Sequence, residues 1–231
     1  MTNQHKIAQL AVRFNLLGCF GLLLGLVIAS TLEISRDGFA GFLLLQSSVS
    51  ELGHYGHSEF ALLLNGGIFF GSLSIALACL FALQVTKGWL KYPFWLSFAA
   101  SFLALAITGL FPLNVYHLHI YGLSYLMIFS TVASATFILY AIDMGWQRVK
   151  IASLLASICL LLNFSAFILP YANVISTPTQ VTTFVDIIAA SATLSPTPEL
   201  WWQAFIQWCS DITLVCWVLS LLPWLNKSVK T

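Results

Sequence analysis

Apolar residues in this chain fall in long unbroken runs rather than in strand-like alternation, and each run is about as long as a hydrocarbon core is thick. A crossing helix needs about 20 residues. Six segments meet that length: Ile7–Leu32, Phe60–Gln84, Pro93–Phe111, Leu118–Ile142, Ile151–Leu169 and Leu200–Leu222. A further apolar patch, Phe39–Leu45, is too short to span and is expected to be interfacial or re-entrant. Lys6 and Arg13 ahead of the apolar stretch Phe14–Ile28 resemble the start of a signal peptide, but the stretch continues in effect from Ile7 to Leu32, longer than an h-region of about 7–15 residues, so a retained helix is expected.

Composition turns this pattern into a class. The chain is 59% hydrophobic and 7% charged, with mean hydropathy +0.91, too few charges to cover a water-exposed surface. The expected fold is therefore an all-α integral membrane domain, 1–231, built as a six-helix bundle. The net charge of +1 points to no nucleic-acid partner. Lysine and arginine set the orientation. Lys6, Arg13, Lys87, Lys91, Arg148, Lys150, Lys227 and Lys230 fall on one side and Arg36 alone on the other, so both termini are expected to be cytoplasmic. Trp89, Trp146 and Trp224 at one level, and Trp201 and Trp202 at the other, are expected as interfacial anchors.

The long connections, Glu33–Glu59 and Pro170–Glu199, then lie outside. In the second, Val181, Phe184, Val185 and Ile188 recur at helical spacing and predict a short amphipathic helix on the outer leaflet, while Thr197 and Pro198 read as the cap of the last span. Gly21 with Gly25, and Gly67 with Gly71, have the spacing that lets helix backbones approach. Packing within the chain is the default reading, and a homo-oligomer through these small-residue faces the alternative. The five cysteines lie in apolar runs without zinc-type spacing and read as small hydrophobes.

Two constellations could carry chemistry. Glu51, His54, His57 and Glu59 crowd the end of the first outer loop, and the hairpin after Pro112 adds Asn114, His117 and His119 at the same level. Glutamate and histidine together suit acid–base work, which makes Glu51, His54 and His119 the catalytic candidates. His54-x-x-His57 in a glycine-rich loop is not the helical motif of a metalloprotease, so neither a metal nor a cofactor is expected. The second constellation is Asp211, about 15 Å into the last span, with Gln203 and Gln207 at i−8 and i−4. That stripe is expected to face the bundle interior, with Asn15, Asn65, Thr108 and Asn163 as candidate partners for the acid. Together Asn65, Asn114, His117, Gln203, Gln207 and Asp211 define an expected polar cleft.

Three pieces taken in order carry a resemblance: Ser50–Glu51–Leu52–Gly53, then Asn65–Gly66 with Gly71, then Gly109–Leu110–Phe111–Pro112 followed by a histidine. They resemble the bacterial and archaeal membrane-protein family catalogued as DUF nine-nine-eight, itself distantly similar to the Frag/DRAM/Sfk group. The likeness spans Leu16 to Ile142. It implies a six-helix bundle in a prokaryotic inner membrane and puts His119, rather than His117, at the family's histidine position; it implies no activity. Ser50-x-x-x-His54 is also similar to the alkaline ceramidase and adiponectin-receptor hydrolases, but those carry paired histidines in the last helix and this last helix has none.

The function expected from these readings is a multi-pass protein whose outward polar cleft binds membrane lipids, senses or scaffolds. An enzyme, a hydrolase or transferase on a lipid or envelope substrate, is the alternative, and a proton-coupled carrier using Asp211 the third reading. No nucleophile motif, phosphate loop or internal repeat stands out.

Overall fold

The computed structural model describes residues 3–37, 47–144, 151–168, 183–192 and 201–227. All the regular structure among them is helical: α1 (Asn3–Asp37), α2 (Val49–Leu52), α3 (Ala61–Val85), α4 (Lys91–Leu110), a 3₁₀ turn (Leu113–Val115), α5 (Tyr116–Met144), α6 (Ile151–Ile168), α7 (Phe184–Ala192) and α8 (Trp202–Lys227). Five segments, holding α1, α3, α4, α5 and α8, are long and apolar enough to cross a membrane; α6, also expected to span, is a shorter apolar helix. The patch Phe39–Leu45, Val181 and the Thr197–Pro198 cap lie outside the described residues.

Six helices close a ring in chain order, with α1 against α3, α3 against α4, α4 against α5, α5 against α6, α6 against α8 and α8 back against α1. The α1/α3 seam is a backbone contact. A Cβ on Gly67 would lie 2.7 Å from the Gly21 carbonyl oxygen, and one on Gly71 would lie 2.8 Å from that of Gly18. The small-residue spacing is thus engaged within the chain, where close approach lets the two helices gain dispersion contacts along their length.

At one end the ring is filled by aromatic side chains from α4, α5 and α8. Trp217 is fully buried, with ring centroids 4.6 Å from Phe98 and 5.5 Å from Phe137, and Phe94 lies 4.9 Å from Phe137. Two polar groups at this end are tied off, the Trp95 indole N–H donating to the Thr86 hydroxyl at 3.0 Å and the Tyr140 hydroxyl donating to the Lys87 carbonyl, whereas the Trp217 indole N–H has no partner among the described residues. Trp224 stacks on Trp95 at 5.9 Å, half-buried, whereas Trp89 is exposed.

The opposite end holds α2 and α7. Helix α7 is capped by Thr183, whose hydroxyl accepts from the Asp186 N–H while the Asp186 carboxylate accepts from Thr183 at 2.6 and 2.8 Å. These bonds hold the Asp186 carboxyl below its usual range. Helix α7 packs on α5, α6 and α8, with Ile187 and Ile188 buried.

Candidate functional site

The site forms around a four-residue helix that has too few bonds of its own to stand alone. Ser48 caps α2 and Glu51 closes the capping box, with Glu51 N–H to Ser48 Oγ at 3.1 Å and Ser48 N–H to Glu51 Oε2 at 3.0 Å. Three long helices then hold α2 in place. From α8, the Trp208 indole donates to the Ser47 carbonyl at 2.9 Å and Gln207 Nε2 donates to Ser50 Oγ at 2.8 Å. From α3, Asn65 Nδ2 donates to the Gly53 carbonyl at 2.8 Å, and a Cβ at Gly53 would meet the Asn65 side chain at 2.6 Å. From α5, His119 Nε2 lies 2.9 Å from Ser50 Oγ.

The other face of His119 settles which way these protons point. Pro112 has no N–H to continue α4, so the carbonyls of its last turn are left without intrahelical partners. One of them, the Phe111 carbonyl, lies 2.9 Å from His119 Nδ1. A carbonyl oxygen only accepts, so Nδ1 carries the hydrogen and, in the neutral ring, Nε2 is the acceptor. Ser50 therefore donates its hydroxyl proton to His119 Nε2 while accepting from Gln207. Ser50 and His119 are both buried, at 6% and 4% exposure.

This pair opens on a narrow cavity of about 50 Å³. Leu123, Leu126, Met127, Phe164, Phe167 and Ile188 give it an apolar wall, and Ser50, His119, Asn65 and the α8 stripe give it a polar one. Gln203, Gln207 and Asp211 all line it, as their spacing predicts. The structure does not supply the partners expected for Asp211: Asn65 is committed to Gly53, and Thr108 donates to the Leu105 carbonyl at 2.7 Å. No hydrogen bond reaches the Asp211 carboxylate among the described residues, and Asp211 also borders a small apolar space with Leu22, Leu26 and Leu214. Trp201, expected as an interfacial anchor, is instead 1% exposed and lines the cavity; its indole N–H has no partner among the described residues. Trp202 takes the exposed position.

The other candidates lie elsewhere. Glu51 and His54 face a separate surface groove with Gly56, His57 and Leu113, whereas His119 lines the cavity, so the three do not share one pocket. Burial raises the Glu51 carboxyl above its usual range, against the opposing pull of the Ser48 hydrogen bonds and of His57 and His54. Asn114 is exposed and clamps the loop, accepting from the Tyr55 N–H at 2.7 Å and donating to the Tyr55 carbonyl at 2.8 Å, with His54 Nε2 at 3.3 Å. His117 is exposed against Tyr116. Neither Asn114 nor His117 lines the cavity. Among the described residues no group of three metal-ligating side chains comes together.

Sequence reasoning did not single out Ser50 as a reacting group, because its only visible neighbour in the chain was His54, and the histidine it meets is 69 residues away. The signal available was its place in the Ser50–Gly53 motif, at the same membrane level as the hairpin after Pro112. Compared with protein-family models, with curated proteins and with solved structures, the chain finds no match in any of the three.

Proposed function

We propose that this is a six-span inner-membrane protein, prokaryotic, with both termini cytoplasmic, whose outward-facing cavity binds the chain and the head-proximal carbonyl of a membrane lipid. The observation that carries the reading is the two-sided cavity: an apolar wall from α5, α6 and α7 faces hydrogen-bonding groups from α2, α5 and α8. An acyl chain lies against the first without desolvation cost, and its polar end finds Ser50, Gln207 or Gln203 at the second. The charge distribution along the loops supports the orientation.

Trp201 supplies the test, since a fluorescent fatty acid in the cavity takes energy from it. Purified protein in detergent is expected to bind cis-parinaric acid saturably with tryptophan-sensitised emission. Trp201→Phe should lower the transfer, and Ala204→Leu, which adds volume to a fully buried cavity wall, should weaken binding about tenfold or more with the melting temperature monitored alongside. Saturable transfer that ignores both substitutions would place the lipid elsewhere and sink the reading.

A further inference from the structure

We propose that the cavity is also a reaction site, in which Ser50 is the nucleophile and His119 the general base for transfer of an acyl group from a carboxylic ester. The inference rests on the lipid-binding reading, which supplies the substrate class: an ester whose apolar chain lies along Leu123, Leu126 and Phe164.

The geometry is that of an activated hydroxyl. A serine is a weak nucleophile unless a base within about 2.6–3.2 Å takes its proton and a third group fixes that base. His119 Nε2 is 2.9 Å from Ser50 Oγ, and the Phe111 carbonyl holds Nδ1 at 2.9 Å, fixing the ring orientation and the tautomer that leaves Nε2 free to accept. A carbonyl thus stands where an acidic residue orients the histidine in a triad. All three parts are positioned from outside themselves: α2 is held by Trp208, Gln207 and Asn65, and the carbonyl is set by the break at Pro112.

The step balances without any group beyond the ester and water. Ser50 Oγ bonds to the ester carbonyl carbon as its proton passes to His119 Nε2, and the carbonyl electron pair moves onto oxygen. When the tetrahedral intermediate collapses, the bond to the leaving alkoxide breaks and His119 returns the proton to it, leaving acyl-Ser50 and an alcohol. Water, deprotonated by His119, then attacks the acyl carbon; the Ser50–acyl bond breaks, the serine regains its proton and a carboxylic acid departs. A second alcohol in place of water makes the same step a transesterification. Gln207 Nε2, 2.8 Å from Oγ, carries a second N–H and is a side-chain donor within reach of the oxygen anion.

A hydroxyl that merely fastens α2 to α5 would be chemically inert, and this separates the readings. Detergent-purified protein treated with a long-chain alkyl fluorophosphonate is expected to gain the mass of one adduct, which peptide mapping places on Ser50 in the wild type without recourse to any variant. His119→Gln should slow labelling at least about 100-fold, the lower range for a general base, with the melting temperature followed alongside. Ser50→Ala should give no adduct. Parinarate binding without an adduct on Ser50, or labelling of His119→Gln at the wild-type rate, overturns the catalytic proposal and leaves the binding site standing. Loss of both signals in the wild type overturns the two together.

Discussion

The two ends of the same helical ring reach opposite solutions to the space in its middle. Where α4, α5 and α8 carry Phe94, Phe98, Phe137 and Trp217, rings interlock at centroid distances of 4.6 to 6.1 Å and close the interior. One or two dozen ångströms along the same helices, the inward positions are Thr108, Leu123, Ala204, Gln207 and Ser210, and a cavity remains. Helix direction and topology are shared, so the size and polarity of the inward side chains make the difference. The filled end gives the bundle stability, and the open end keeps polar groups available at a cost in packing.

The strongest way to break this comparison is to truncate a ring at each end. Trp217→Ala is expected to cost about 3–5 kcal/mol, as for large aromatic deletions in tight cores, read by denaturant unfolding in detergent. Phe164→Ala, on the wall of a space that is already open, should cost less than half of that, because fewer contacts are lost and the remaining wall relaxes into the cavity. Equal losses would mean that the two ends are packed alike.

A middle-sized effect is expected at Asn65, which joins α3 to α2 through the buried Gly53 carbonyl. Asn65→Ala leaves that acceptor without its partner and should cost about 1–3 kcal/mol. Because α2 carries Ser50, the same variant should also slow fluorophosphonate labelling; unchanged labelling would show that α2 is held well enough without α3.

The smallest effect concerns charge at the rim. Burial raises the Glu51 carboxyl in the folded protein, so between its ordinary value and the raised one the native state binds more protons than the unfolded chain, and stability falls as pH rises through that acidic window. Glu51→Gln keeps an acceptor for the Ser48 N–H without the charge. The variant is expected to match the wild type below the window and exceed it above, by less than about 1 kcal/mol because the group is partly solvated. Melting temperatures of both proteins across that range check the sign, and a wild type that gains relative to the variant as pH rises would contradict it.

Much of this architecture is legible along the chain because it depends on neighbours a few residues apart. Span lengths, the Gly21–Gly25 and Gly67–Gly71 spacing, the α7 periodicity and the Gln203–Gln207–Asp211 stripe are all repeats of one helical turn or a few, and helical geometry alone puts their side chains on common faces. The crowding of Glu51, His54 and His57 was equally visible. Those side chains turn to a surface groove or to capping, while Ser50 beside them lines the cavity.

Sequence by itself determined that the chain is a bundle of apolar helices, roughly where each helix lies, and which stripe of the last one is polar. Only the tertiary structure decided that Ser50 meets His119 and Gln207, that Trp201 is buried, that Asp211 finds none of its expected partners and that α7 closes the cavity wall. The division has one physical cause. Backbone hydrogen bonding and side-chain direction in a helix are local and periodic, whereas the meeting of groups 69 and 157 residues apart depends on how whole helices cross and how a four-residue helix is caught between them.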